Sequence, residues 1–197
     1  MKILITGFEP FGSRKTNNSW EVAKAFRNKY EIKVLQLPVS FSQSHCLVID
    51  QIEKQCYDIV LMLGETSSTN DNFRLERVAI NLKDSINADN DGIKPDEEML
   101  IQEAPNAYFT KFPLKKIAGQ LKEAEYPVKV SNSAGTFVCN SLYFNILHYI
   151  ETNKLKAKAL FIHVPSTSQM ISLEEMQNTL DEIIKISLSY VDALSKV

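Results

Sequence analysis

Asp58-Ile59-Val60-Leu61-Met62-Leu63-Gly64 is a nearly unbroken apolar run that stops at a glycine. Such a run is typical of a strand that is buried on both faces in a parallel sheet. Other β-rich runs lie at residues 2–6, 31–39 and 157–164, and helical patterns separate them along the chain. This alternation predicts an α/β fold with a largely parallel central sheet.

The remaining elements follow from periodicity and capping signals. Helices are predicted at about 19–27, 42–55, 113–125, 136–151 and 172–195, and further strands at 76–83 and 128–131. Residues 84–112 are too polar for a continuous element, and a loop of this length is typical of a lid or of small hairpins. Because there is no repeat or linker, the sequence predicts a single domain over residues 1–197.

Composition narrows the class of protein. The 197 residues are 44% hydrophobic and 23% charged with a formal net charge of -2, which is typical of a soluble domain with its own core. No basic run indicates a nucleic-acid partner, and no apolar stretch is long enough for a membrane span. We therefore expect a cytoplasmic protein that binds neither nucleic acid nor a membrane. The three cysteines form no CxxC pair, and in that reducing compartment they are expected to be free thiols.

Cys139 follows a turn of small residues that includes Gly135, and a helix is predicted to begin near Thr136. Cys139 would then lie in the first helical turn, where unpaired N–H groups and the helix dipole favour a thiolate and can receive an oxyanion. Burial as a small hydrophobic residue is an equally good interpretation of a lone cysteine. For Cys46 and Cys56, in or beside an amphipathic helix, that second interpretation is the better one.

His163 is the histidine best placed for catalysis. It stands at the carboxyl end of an apolar strand, beyond which open α/β sheets bind their ligands. Cys139 and His163 would face one crevice if their strands are neighbours, with His163 as general base, although a structural donor is the alternative. Of the other histidines, His45 is expected to be exposed, and His148 lies in the helix that follows Cys139.

A base imidazole needs an acceptor that fixes its tautomer. Glu76, at the entry to the predicted strand 76–83, is a candidate for this acceptor. Taken alone, it is more typical of a surface carboxylate.

Five segments of the chain form a distinctive set: Ile5-Thr6-Gly7-Phe8-Glu9-Pro10-Phe11-Gly12 with Asn17 and Ser19-Trp20, Glu76-Arg77-Val78-Ala79-Ile80-Asn81-Leu82, Asp89-Asn90 with Gly92 and Pro95, Ser131-Asn132-Ser133-Ala134-Gly135-Thr136-Phe137-Val138-Cys139-Asn140, and Phe161-Ile162-His163-Val164-Pro165. In order and in relative spacing these segments resemble the pyrrolidone carboxyl peptidase family, also called pyroglutamyl peptidase type I. The resemblance covers nearly the whole length.

The resemblance implies a function and a site. It implies a cysteine peptidase that removes an N-terminal pyroglutamyl residue from peptides through a thioester, without metal or cofactor. The implied catalytic residues are Cys139 as nucleophile, His163 as base and Glu76 as its acceptor, and the implied substrate-binding residues are Phe8, Phe11, Asn17, Phe137 and Val138. The family fold is a three-layer α/β/α sandwich, assembled as a homodimer or homotetramer.

The chain departs from the family pattern beside the implied pocket. Residues 64–74 lack the family's Gly-x-Ala-Gly-Gly-Arg segment, Ile86 stands where the family has an arginine, and Ser166-Thr167-Ser168 replaces a more apolar continuation. Arg74 is a candidate replacement for the missing arginine. Two alternatives to pyroglutamyl hydrolysis follow: the same chemistry on another small N-terminal acyl or lactam amide, or a binding protein that retains the triad.

Overall fold

The computed structural model describes residues 1–27, 29, 31–66, 72–166 and 171–195. Its strands and helices alternate along the chain, as the apolar runs predict. In chain order they are β1 Ile3–Phe8, α1 Asn18–Lys24, β2 Ile32–Leu37, α2 Ser44–Lys54, β3 Ile59–Glu65, β4 Phe73–Glu76, β5 Val78–Ile80, β6 Ala107–Phe109, α3 Leu114–Glu123, β7 Val128–Ser131, α4 Val138–Thr152, β8 Lys158–Val164 and α5 Leu173–Ser195.

Six of these strands form one sheet in the order β2-β1-β3-β8-β4-β7. The strands β2, β1, β3 and β8 are parallel, β4 runs antiparallel to β8, and β7 is parallel to β4. The sheet is therefore largely parallel, with a single reversal of direction between β8 and β4.

Helices cover both faces of the sheet, so the three-layer α/β/α architecture is confirmed. One apolar core packs α1, α3 and α5 against one face, with Val22, Ile117 and Leu180 among its fully or almost fully buried members. The other core packs α2 and α4 against the opposite face, where Val48 and Leu142 are fully buried. Among the described residues, no helix is long and apolar enough to cross a membrane.

The predicted strand 76–83 is wrong in its extent, because the chain changes partner at Arg77. The Arg77 N–H donates to the Ser131 carbonyl beside β7, whereas its own carbonyl accepts from Thr110, which follows β6. Glu76 therefore ends β4 in the main sheet, and Val78–Ile80 pairs antiparallel with β6 in a separate two-stranded sheet. Residues 84–112 contribute β6 to that sheet, but its other strand lies before them, so the pairing differs from the small hairpin predicted within 84–112.

Local predictions on α1 and α2 also need correction. The cap of α1 is Asn17, whose side chain accepts from the Ser19 N–H, rather than Asn18 or Ser19. Cys46 and Cys56 are exposed rather than buried, because only a narrow face of α2, around Val48 and Ile52, is buried, and Cys56 lies beyond the end of this helix. His45, expected to be exposed, is half-buried.

Candidate active site

A cleft of about 700 Å³ opens at the carboxyl ends of β3 and β8, where the first turn of α4 crosses the sheet. Seven of the eight residues implied by the family resemblance line it: Phe8, Phe11, Asn17, Phe137, Val138, Cys139 and His163. The eighth, Glu76, lies behind His163 and is fully buried. The folded chain thus brings together residues from distant parts of the sequence, from Phe8 near one end to His163 near the other.

Cys139 reaches the cleft by a route that differs from the sequence prediction. The strand before it, β7, is not a neighbour of β8, because β4 lies between them and runs antiparallel to β8. Cys139 instead arrives on the first turn of α4, which begins at Val138 with Phe137 as its cap. Ser141 is the first residue of α4 to donate its backbone N–H to the helix. The N–H groups of Val138, Cys139 and Asn140 precede it, in the turn where helices leave donors for a ligand.

The Cys139 thiol, the His163 imidazole and the Glu76 carboxylate follow one another across three adjacent strands. The thiol lies over β3 beside Gly64, whose register partner on β8 is His163. Nδ1 of that imidazole lies 2.8 Å from Oε1 of Glu76 on β4. This order, nucleophile then base then acceptor, is the arrangement of a catalytic triad.

His163 is held in its protonated form to unusually high pH. Burial lowers its pKa, but the hydrogen bonds to Cys139 and Glu76 and the charges of both partners outweigh burial and raise the pKa to about 9. At neutral pH the imidazole therefore carries its proton, which is the state that supports a thiolate beside it and can protonate a leaving amine.

Gly64 makes the approach of Cys139 to His163 possible. It is the direct neighbour of His163 in the β3–β8 register. A Cβ atom at this position would lie 2.9 Å from Sγ of Cys139 and 2.9 Å from two ring carbons of Phe161, closer than such atoms approach in real structures. Only glycine therefore allows the thiol to lie this close to the sheet beside the imidazole.

Replacing Gly64 with alanine should displace the thiol and lower kcat/KM by about 100-fold, because a misplacement of about 1 Å in a reacting group costs this much. The buried Phe161 ring must also shift, so unfolding should become easier by about 1–3 kcal/mol. Gly119→Ala is the matched control, since no atom lies within 4 Å of a Cβ at that helical position. Steady-state kinetics and thermal unfolding of both variants test this; unchanged kcat/KM in Gly64→Ala would contradict it.

Aromatic rings form the apolar wall in front of Cys139. The rings of Phe11 and Phe137 have centroids 5.3 Å apart and are tilted by 54°. Phe41, which sequence reasoning missed, supports Phe137 from behind in an edge contact at 5.3 Å. Phe8 is nearly buried and closes the floor. Such a wall suits the flat faces of a small uncharged ring.

Asn17 shapes the cleft through bonds to its own loop. Its Nδ2 donates to the Glu9 carbonyl, and its Oδ1 accepts from the N–H and the hydroxyl of Ser19. The amide thus fixes the loop that carries Phe11 to the start of α1.

Two residues of α4 hold Glu76 and the chain around Ile80 in register with Cys139, and neither was singled out from the sequence. Asn140 bonds to the N–H and carbonyl of Ile80 and to the Leu82 carbonyl, each at 2.9 Å. The fully buried Tyr143 donates to the backbone carbonyl of Glu76 at 3.1 Å. Because both donors lie within four residues of Cys139, one rigid helix positions all of these groups.

Charged side chains on the opposite wall were only partly anticipated. Arg14 pairs with Glu65, which also accepts the Asn18 N–H at the start of α1. Arg74 lines the cleft on its β4 side. A lone sequence reveals none of these contacts, because Arg14 and Glu65 lie on different elements and Arg74 falls in a stretch that resembles a polar loop.

Several of the residues that depart from the family pattern lie at the cleft. Ile86 is 87% exposed, between Ser85 and Asn87, which line the cleft. Glu65, Thr66 and Arg74 of the altered stretch also line it. Residues 67–71 of that stretch, and Thr167 and Ser168, lie outside the described residues.

Comparison with known proteins gives a consistent result. A family model described as pyroglutamyl peptidase matches residues 1–190. The chain is 42% identical to a pyrrolidone-carboxylate peptidase of Thermococcus kodakarensis, over 94% of this chain and 95% of the relative. It is 38% identical to a pyrrolidone-carboxylate peptidase of Brachyspira hyodysenteriae, over 95% of this chain and 99% of the relative. Among solved structures it is similar to the pyrrolidone carboxyl peptidase of Thermococcus litoralis, with a TM-score of 0.90 and 33% identity over 98% and 95% of the two chains. It is also similar to pyroglutamyl peptidase I of Bacillus amyloliquefaciens, with a TM-score of 0.87 and 32% sequence identity over 92% of this chain and 94% of that one.

Proposed function

Because this chain belongs to the pyroglutamyl peptidase family, we propose that Cys139, His163 and Glu76 are the residues with which it removes an N-terminal pyroglutamyl residue from peptides. It is a cysteine-type omega peptidase, and its substrates are peptides. The observation that carries the proposal is the placement of the Cys139 thiol beside His163, whose Nδ1 bonds to the buried Glu76.

In the acylation half of the reaction, the Cys139 thiolate attacks the carbonyl carbon that joins the pyroglutamyl group to the next residue. The carbonyl oxygen becomes an oxyanion, and the N–H groups at the first turn of α4 are the donors we assign to it. His163 gives its proton to the leaving nitrogen, the C–N bond breaks, and the shortened peptide departs with a free amino group. A pyroglutamyl thioester remains on Cys139.

Deacylation uses the same groups in the reverse roles. His163, now neutral, takes a proton from water, and the resulting hydroxide attacks the thioester. The C–S bond breaks, pyroglutamate is released, and the proton remains on the imidazole beside the thiolate. Glu76 holds Nδ1 throughout, so that Nε2 faces the reacting atoms and the positive charge of the imidazolium is balanced.

We assign Phe8, Phe11, Phe137 and Val138 to the lactam ring. The aromatic faces exclude water from an uncharged ring and strengthen the nearby electrostatic interactions. Asn17 holds the loop that carries Phe11, and this is its contribution to the ring pocket.

Neither alternative function is favoured. The relatives at 38–42% identity are named as pyrrolidone-carboxylate peptidases, so another acyl amide has no support. Burial of the Glu76 carboxylate costs free energy that only its bond to His163 offsets. A binding protein without turnover would not need such a buried acid behind the imidazole.

The coumarin amides of pyroglutamate and of proline test the function, because the two rings differ at the lactam carbonyl and the amine. We expect turnover of the pyroglutamyl amide and rejection of the prolyl amide by at least about 100-fold, because the prolyl amine is largely protonated at neutral pH and its charge is costly to bury among aromatic rings. Equal turnover of both amides, or faster turnover of the prolyl amide, would contradict the assignment.

We also propose that residues 1–197 form a single domain and that the enzyme is a cytoplasmic homodimer or homotetramer. One sheet joins the first and last strands, which supports the single domain. The family resemblance supports the assembly, as does Phe109, which is 64% exposed on β6. Sedimentation equilibrium should give a dimer or tetramer mass, and a monomer at micromolar concentration would contradict the assembly.

A further inference from the structure

Arg74 lies on the wall of the cleft that the ring pocket does not use. It is directly opposite His163 in the antiparallel register of β4 and β8, and its side chain lines the cleft. Residues paired in this way project from the same face of a sheet. Arg74 therefore stands beside the imidazole, on the same side of the sheet as Cys139.

The charge of Arg74 has no counterpart within the described part of the chain. Arg14, the other arginine at the cleft, is neutralised by Glu65. Nε of Arg74 is buried and has no hydrogen-bond acceptor among the described residues. Arg74 pairs in register with Lys129 on β7, so a second positively charged side chain projects from the sheet beside it. Two cations side by side repel each other, and a buried guanidinium donor without an acceptor is costly unless a ligand supplies one.

The position of Arg74 relative to His163 decides which part of a substrate it can meet. In the proposed reaction, His163 protonates the nitrogen of the residue that follows the pyroglutamyl group. A side chain next to His163 on β4 therefore lies on the side of the leaving group, away from the ring pocket formed by Phe11 and Phe137. A cleft of about 700 Å³ is in the upper part of the range for drug-sized ligands, about 300–1,000 Å³, and exceeds what one small ring needs.

We propose that Arg74 binds a carboxylate carried by the residue that follows the pyroglutamyl group, so that the enzyme prefers peptides with an acidic residue, or a free carboxyl terminus, at that position. This inference rests on the proposed function. Guanidinium and carboxylate match in geometry and can form two parallel hydrogen bonds. Arg74 is then a specificity-determining residue, and the chemistry of bond cleavage does not depend on it.

Three peptides separate the two sources of the carboxylate. Pyroglutamyl-glutamate amide carries it on the side chain, the free acid of pyroglutamyl-glutamine carries it at the terminus, and pyroglutamyl-glutamine amide carries neither. In the wild-type enzyme we expect kcat/KM for at least one anionic peptide to exceed that of the neutral peptide by about tenfold, the lower end of the range for a hydrogen bond to a charged group. Detection of the released amino group measures all three.

Arg74→Gln should reduce this preference to within about twofold, so that the anionic peptides lose more of their kcat/KM than the neutral peptide does. Arg27→Gln is the matched control, since it removes the same charge from an exposed side chain that stacks on Trp20 and does not line the cleft. It should keep the wild-type preference. A preference that survives in Arg74→Gln would overturn the inference, as would an equal loss for all three peptides, which would place Arg74 at the scissile carbonyl.

The wild-type enzyme gives a second test that does not depend on a variant's folding. If the charge of an arginine in an open cleft produces the preference for anionic peptides, that preference should shrink as the ionic strength rises from about 0.01 M to about 1 M. Over this range the Debye length falls from about 30 Å to about 3 Å. Equal turnover of the three peptides by the wild type would overturn only this inference. No turnover of any of them would instead contradict the proposed function.

Discussion

Replacing Cys139 with alanine abolishes hydrolysis of pyroglutamyl amides, with kcat lower by about 10⁶-fold, the loss seen when the nucleophile of a triad is removed. The reason is that the thioester cannot form, and direct attack by water on an amide has none of the advantages of a positioned thiolate. Release of the coumarin group, with the wild type and the variant at equal concentrations of folded enzyme, measures the change.

Cys56→Ala is the control for this variant. Cys56 is a free, exposed thiol outside the cleft, so its loss should leave kcat/KM within about twofold. The same contrast should appear with iodoacetamide, where inactivation follows alkylation of Cys139 alone. Residual activity of Cys139→Ala above about 1% of the wild type would assign the nucleophile elsewhere.

Replacing Glu76 with glutamine is the second large change, and we expect kcat to fall by about 10³–10⁴-fold. A glutamine keeps the size of the side chain but can present an N–H to Nδ1, which favours the wrong imidazole tautomer. It also removes the negative charge that balances the imidazolium. Steady-state kinetics with the pyroglutamyl amide measure the loss.

The pH dependence separates this effect from simple misfolding. The pKa of His163 is about 9, so kcat/KM of the wild type should decline on the alkaline side with a midpoint near pH 9. Glu76 is one of the causes that raise this pKa, whereas burial lowers it, so the midpoint should move to lower pH in Glu76→Gln.

Glu98→Gln is the matched control for Glu76→Gln. It breaks an exposed ion pair with Lys83 and should change neither rate nor midpoint. An unshifted midpoint in Glu76→Gln, with a rate within tenfold of the wild type, would mean that Glu76 does not act on His163.

Sequence reasoning succeeded where the evidence was local. The run at 58–64 predicted β3, which extends one residue further, and the small residues before Cys139 predicted its place in the first turn of α4. Both predictions depend on apolar periodicity and on turn chemistry, which a short window of sequence contains. The α/β class follows from the same signals.

Strand order and direction could not be predicted in this way. Nothing in the residues of β4 indicates that it inserts between β8 and β7 and runs antiparallel to β8. That insertion brings Glu76 and Arg74 beside His163, which follows Glu76 by 87 residues in the chain. Family resemblance alone predicts that Glu76 belongs to the site, because a carboxylate at a strand end is usually a surface group.

Close approaches were equally hidden. Gly64 reads as the end of a strand, and its contact with the Cys139 thiol arises only when α4 packs across β3. The pair of Arg14 and Glu65 likewise depends on the loop before α1 meeting the end of β3. Contacts of this kind depend on how the elements pack, and they leave no periodic signal in the sequence.

The central claim is that Cys139 carries the pyroglutamyl group as a thioester during turnover. Mass spectrometry of enzyme quenched in acid during turnover of a pyroglutamyl amide tests it directly, because acid stops deacylation before the thioester is lost. The account predicts an added mass of one pyroglutamyl group on the peptide that contains Cys139, and no such adduct in Cys139→Ala. The absence of that adduct from an enzyme that is turning over, or its attachment to another residue, would contradict it.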